Sequence, residues 1–94
     1  MKKIISELKA LKEPLADMFG ITSVALFGSY ARGEETESSD LDIVIVSMTR
    51  KNGFTIARAR RYLEDKLHIS VDIGLLDAVR PYIRNEIEKE LVYV

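Results

Sequence analysis

The stretch from Gly28 to Val46 reads GSYARGEETESSDLDIVIV, a Gly-Ser turn and a polar loop followed by two aspartates that open an apolar run. Because side chains on a strand alternate between two faces, Asp40 and Asp42 project from one face and Leu41 from the other. Two carboxylates on one face repel each other, and placing them beside an apolar run costs free energy unless a cation lies between them. Divalent ions with oxygen ligands are the usual solution, so the pair is a candidate metal site.

The turn at Gly28 and Ser29 is a candidate phosphate site. It follows residues 23–27, which predict a buried strand, and residues 30–32 predict one helical turn. A strand that ends in glycine and opens a helical turn exposes backbone N–H groups that bind phosphate. Residues 43–46 are expected to return antiparallel beside the first strand, which brings this turn and the two aspartates to the same edge of the sheet.

The predicted topology adds a third carboxylate. A helix over roughly 54–67 and a further strand over 70–76 follow the run at 43–46. A strand, a helix and a strand imply a right-handed crossover to a parallel neighbour, which brings the starts of the two strands together. Asp72 lies near that start. Three aspartates on adjacent strands, opposite a phosphate-binding turn, form the arrangement that two-metal phosphoryl or nucleotidyl transfer needs.

These motifs resemble the signature of the polymerase-β-like nucleotidyltransferase superfamily. The short chain is similar to its minimal nucleotidyltransferases (MNT), the antitoxin partners of HEPN proteins, and the resemblance covers essentially the whole sequence. It is carried by Gly28-Ser29, Ala31-Arg32-Gly33, Ser39-Asp40, Asp42 and Asp72, each between the expected strands. The resemblance implies the fold of that superfamily and Mg²⁺-dependent transfer of a nucleoside monophosphate, usually AMP from ATP.

The resemblance also implies roles for individual residues. Two Mg²⁺ ions and ATP are expected in the site, with Asp72 facing the nucleophile. The expected catalytic and metal-holding residues are Asp40, Asp42 and Asp72, and the expected nucleotide-binding residues are Gly28, Ser29 and Arg32. For Arg32 two interpretations stay open, contact with phosphate and solvation of the loop.

The expected function is transfer of AMP from ATP to a protein acceptor, a tyrosine of a HEPN toxin, within a toxin–antitoxin pair. Larger enzymes of the superfamily carry a further domain that binds the acceptor, and this chain ends soon after Asp72. A small helical HEPN protein is therefore the expected partner, and a homo-oligomer stays open. The alternative is a non-catalytic nucleotide-binding or contact-only antitoxin module. Modification of a small molecule would need an acceptor pocket that this length hardly allows.

Length and composition limit the class of protein. The chain has 94 residues and no cysteine, which predicts a single domain over 1–94, excludes disulfides and thiolate zinc sites, and favours a cytoplasmic location. No apolar segment is long enough to span a bilayer. The formal net charge of −1 argues against nucleic acid as the main partner.

Helical periodicity predicts how the sheet is covered. A first helix is expected to dock on the sheet, with Pro14 kinking it or dividing it in two. Its apolar positions are Ile4, Leu8, Leu11, Leu15 and Met18. The crossover helix is expected to turn a second apolar stripe to the sheet and a charged face to solvent, with a partner-binding or phosphate-steering role for that charge as the alternative. That charged face carries Arg58, Arg60, Arg61 and Lys66.

The C-terminal part predicts one more helix and a short strand. Pro81 at an early position opens the helix, which is expected to bury Ile83 and Ile87, and residues 91–94 are expected to form an edge strand. The predicted fold is an α/β domain with a mixed sheet of three or four strands and helices mainly on one side.

Overall fold

The computed structural model describes residues 2–49 and 52–94 of the chain. Strands and helices follow each other in the predicted order. They are α1 (Lys2–Phe19), β1 (Ile21–Phe27), α2 (Ser29–Arg32), β2 (Leu41–Met48), α3 (Gly53–Leu67), β3 (Val71–Leu75), a short 3₁₀ turn (Leu76–Ala78), α4 (Pro81–Glu88) and β4 (Val92–Tyr93). Within these residues no helix is both long and apolar enough to cross a membrane.

The four strands form one mixed sheet in the order β3-β2-β1-β4. β1 pairs antiparallel with β2 and with β4, and β2 pairs parallel with β3. The predicted antiparallel return, parallel crossover and terminal edge strand are therefore confirmed.

One face of the sheet packs against α1 and α3 and holds the core. Along β2, Leu41, Ile43 and Ile45 are at most 2% exposed and pack on this side, while the residues between them are half-buried. Leu8 of α1 and Leu63 of α3 belong to the same buried cluster. The opposite side of the sheet, which carries the alternate residues of β2 and β3, is called the open face below.

The helix α1 differs from its prediction in two respects. It continues through Pro14 as one helix, so of the two predicted effects of the proline the division does not occur and the kink stays a prediction. Leu15 and Phe19, beyond the proline, are buried, and this packing holds the last turn in place although the proline donates no hydrogen bond. Met18, predicted on the packed face, is 55% exposed. Phe19 takes the buried position instead and meets Tyr62 edge to face at 5.5 Å between ring centroids.

The helix α4 packs less than predicted. Ile87 is half-buried, but Ile83 is 40% exposed and the helix contains no fully buried residue, so the predicted burial of Ile83 is wrong. α4 packs closely against no other described element, and the buried cluster that α1 and α3 form with the sheet contains none of its residues.

Candidate active site

The register of the sheet brings two of the predicted aspartates side by side. Asp42 of β2 pairs with Asp72 of β3 on one side and with Phe27, the last residue of β1, on the other. Paired residues of neighbouring strands point to the same face, here the open one. Asp40 lies two residues before Asp42, just ahead of β2. Two carboxylates on adjacent strands, and a third just ahead of β2, therefore lie at one end of the sheet.

Electrostatics couples these carboxylates. Burial, and then the negative charges of Asp72 and Asp40, raise the pKa of Asp42, while Arg32 lowers it. Within residues 2–49 and 52–94, no three acidic or histidine side chains converge tightly enough to hold a metal ion. The negative charges of Asp72 and Asp40 act on Asp42 without such convergence. An all-oxygen, triply charged donor set fits a hard divalent cation such as Mg²⁺, which would remove the repulsion.

The Gly-Ser turn lies directly against Asp42. Gly28 has φ 75° and ψ −148°, a conformation open essentially only to glycine. A Cβ atom at this position would collide with the carboxylate of Asp42. Ser29 follows as the first residue of α2, and its carbonyl accepts a hydrogen bond from the Glu34 N–H at 2.8 Å. The structure therefore brings the predicted phosphate turn into contact with the predicted metal-binding carboxylate.

Arg32 lies within electrostatic reach of the site. Its Nε donates a hydrogen bond to Glu34 Oε1 at 2.5 Å. This bond is the main cause of the raised pKa of Arg32, and the charges of Glu34, Glu90 and Asp42 add to it. The structure thus contains a contact between Arg32 and the loop residue Glu34, and contact between Arg32 and phosphate stays a prediction.

Two side chains of α3 that the sequence did not suggest as site residues hold the start of β3. Glu64 Oε2 accepts a hydrogen bond from the Val71 N–H at 3.0 Å, and Arg60 Nε donates to the Val71 carbonyl at 2.9 Å. Val71 directly precedes Asp72, so this pair, the Val71 clamp, fixes the backbone that carries a predicted catalytic residue. Arg60 lies on the exposed side of α3, as predicted, with its side chain 55% exposed, and in addition it makes this hydrogen bond to β3.

A sequence signal for the Val71 clamp exists. Arg60 and Glu64 are four residues apart and therefore neighbours on one helix face, 3.8 Å from each other. An edge strand such as β3 has outward N–H and C=O groups that need partners. Only the tertiary structure places the helix face opposite those groups, and periodicity does not specify that alignment.

A cleft of about 310 Å³ lies on the open face beside the carboxylates. Asp42 and Asp72 line one part of it, Phe27 lines the β1 side, and Val44 and Gly74 continue it along β2 and β3. Val44 and Gly74 are paired across the two strands, one side-chain repeat beyond the aspartates. The site thus combines a carboxylate group with an adjoining, largely apolar depression.

Sequence comparison connects this geometry with known proteins. The model of the nucleotidyltransferase domain family matches residues 8–94. A protein of Methanocaldococcus jannaschii that carries the provisional name of protein adenylyltransferase is 39% identical over 97 residues, covering 98% of this chain and 99% of the relative. The protein adenylyltransferase MntA of Thermococcus cleftensis is 33% identical over 94 residues, covering 100% and 95%.

Solved structures agree with the sequence comparison. One that is provisionally described as a minimal nucleotidyltransferase superposes with a TM-score of 0.74 at 32% identity, covering 93% of this chain and 92% of the other. A toxin–antitoxin crystal structure with AMP-PNP gives a TM-score of 0.73 at 21% identity, covering 93% and 70%, and shows likeness of fold. The predicted fold and resemblance are confirmed: this chain belongs to the nucleotidyltransferase domain family and is an enzyme similar to the protein adenylyltransferases.

Proposed function

We propose that this chain, acting as a single domain over 1–94 in the cytoplasm, transfers AMP from ATP to a tyrosine of a HEPN-type toxin and is the antitoxin of that pair. The observation that carries the proposal is the pairing of Asp42 with Asp72 on the open face, with the Gly28 turn against Asp42. The relatives named protein adenylyltransferases support the reaction. The toxin–antitoxin structure with AMP-PNP supports the kind of partner and the nucleotide.

In this proposal Asp40, Asp42 and Asp72 hold two Mg²⁺ ions, and the backbone of Gly28 and Ser29 binds the triphosphate. When bound, the ions supply charge stabilisation to the transferring phosphoryl group. The Gly28 turn holds the triphosphate on the β1 side of Asp42. Asp72, on the β3 side, faces the acceptor hydroxyl and accepts its proton.

The bonding changes balance without a further reactant. The acceptor oxygen forms a bond to the α-phosphorus, the bond from that phosphorus to the bridging oxygen breaks, and pyrophosphate leaves. The hydroxyl proton passes to Asp72. Almost all the catalysis in such a step comes from positioning and charge stabilisation, which is what the residues of this site provide.

The test is coexpression with the protein encoded beside this chain in its genome, followed by intact-protein mass spectrometry of that partner. Wild type should add the mass of one or more AMP units. Asp42→Asn should abolish the addition, because it removes a carboxylate central to charge stabilisation, and it should still bind the partner. Asp65→Asn, an exposed aspartate of α3, is the matched control and should act as wild type.

One outcome would contradict the enzyme account. If wild type and Asp42→Asn neutralise the partner equally well and neither adds mass, the chain is a contact-only antitoxin.

A further inference from the structure

The fold does not require glycine at position 74. It lies inside β3, paired with Val44, and its backbone is outside the positive-φ region. A Cβ atom at this position would meet no heavy atom within 4 Å. Glycine in a strand interior weakens the strand, and it often marks a place where a ligand or another backbone approaches closely. The space above Gly74 is therefore open, and the glycine that leaves it open makes β3 less stable.

That space belongs to the cleft on the open face. Val44 and Gly74 lie side by side in it, and Asp42 and Asp72 lie one side-chain repeat away along the same two strands. Two residues along a strand span about 7 Å. A flat apolar ring lying over Gly74 would thus bring a hydroxyl group at its far end to the carboxylates. A tyrosine side chain has this shape.

The two sides of Asp42 are not equivalent. The Gly28 turn contacts Asp42 from the β1 side, whereas Gly74 and Asp72 lie on the β3 side. Attacking and leaving oxygens of a phosphoryl transfer lie roughly in line, on opposite sides of the phosphorus. With the triphosphate at the Gly28 turn, the acceptor has to approach from the side of Gly74.

Contrary to the expectation from chain length, we propose that the cleft over Gly74 is this chain's part of the acceptor pocket and that Gly74 determines its specificity for a planar phenol, the side chain of a tyrosine on the partner protein. This inference rests on the proposed function, because it assigns an acceptor to that reaction. The phenolic oxygen forms the bond to the α-phosphorus, pyrophosphate leaves, and the phenolic proton goes to Asp72. The absence of a side chain at position 74 lets the ring lie on the strand backbone.

The test is Gly74→Val, which places a branched side chain in the cleft where the ring would lie. The melting temperature should stay equal or rise, because β-branched residues favour strands. Affinity for ATP with Mg²⁺ should stay within twofold of wild type, and the rate of AMP transfer to the partner should fall at least tenfold. Gly53→Val is the matched control, because a Cβ there also meets nothing within 4 Å and the residue lies in α3. It should transfer at the wild-type rate.

The outcomes separate the possible errors. If Gly74→Val transfers AMP at the wild-type rate, the pocket assignment is wrong. It is also wrong if Gly74→Val loses tenfold in ATP affinity, because that result would place the nucleotide in the cleft. If Gly74→Val melts at a lower temperature than wild type, the smaller substitution Gly74→Ala is tested instead. It should lower the rate of AMP transfer at least threefold. Transfer by Gly74→Ala at the wild-type rate would contradict the assignment. Absence of transfer by the wild-type protein would overturn the proposed function, and this inference with it.

Discussion

Asp42 is half-buried on the open face, where burial and then the charges of Asp72 and Asp40 raise its pKa. The pKa of Asp42 in the folded chain lies above its ordinary value of 3.8, so ionisation of Asp42 opposes folding. Protonated Asp42 contributes to stability fully at a pH below its pKa in the unfolded chain. That contribution is lost as the pH rises through its pKa in the folded chain. A bound cation would offset this loss, which links metal binding to stability.

Asp42→Asn should therefore leave the metal-free fold intact at pH 7, with a free energy of unfolding equal to that of wild type or slightly higher, by less than about 1 kcal/mol because solvent screens this partly exposed group. The difference should shrink as the pH falls and disappear well below pH 3.8, where the wild-type carboxyl is neutral in both states. Urea melts with chelator across this pH range measure it, with Asp65→Asn as control. A loss of several kcal/mol at pH 7 would mean that Asp42 holds the fold through hydrogen bonds.

Gly28 supplies a second prediction at this scale, with Gly33 as its matched control. Both have positive φ, but a Cβ at Gly28 would collide with Asp42, whereas one at Gly33 would meet nothing within 4 Å. Gly28→Ala should lower the free energy of unfolding by about 2–3 kcal/mol and Gly33→Ala by about 1 kcal/mol. The Gly28→Ala penalty should shrink in an Asp42→Ala background. An equal penalty in both backgrounds, read from urea melts, would show that the turn does not press on Asp42.

At the scale of helices and strands, periodicity predicted the elements better than the depth of their packing. The spacing of Leu8 and Leu15 predicted α1 and its buried face, and both are at most 1% exposed. The same pattern wrongly included Met18 and Ile83. Periodicity shows which side of a helix is apolar, but the area that a neighbour covers depends on where α1, α3 and the sheet leave room.

The Val71 clamp is an element-scale device, because it ties α3 to the strand that carries Asp72. Glu64→Ala removes the acceptor of the Val71 N–H and should lower the free energy of unfolding by about 1–2 kcal/mol. Glu64→Gln keeps an oxygen acceptor and should restore most of it. If the clamp positions Asp72, Glu64→Ala should also raise the Mg²⁺ concentration needed for half-maximal AMP transfer.

The control for the clamp is Asp65→Ala on the exposed side of α3, which should change neither quantity. A Glu64→Ala enzyme that is less stable but has an unchanged Mg²⁺ requirement would reduce the clamp to a purely structural contact.

For the whole molecule, the core and the candidate site lie on opposite faces of one sheet. The pairing of Asp42 with Asp72 was predictable, because each aspartate sits at the start of its strand and the crossover makes those strands parallel. The Val71 clamp and the free space over Gly74 were not, because both depend on how side chains from separate elements meet. A single sequence thus predicts the positions that the backbone pattern determines and leaves the supporting contacts to the structure.

The central claim is that the Gly28 turn and the carboxylates of β2 and β3 form one metal-dependent nucleotide site. Titration calorimetry of ATP binding, with Mg²⁺ and with chelator, tests it most directly on wild type, Asp42→Asn and the Asp65→Asn control. Wild type and Asp65→Asn should lose at least tenfold in ATP affinity when the metal is chelated. Asp42→Asn should bind ATP weakly under both conditions. ATP affinity of the wild-type protein that does not depend on metal would contradict the claim.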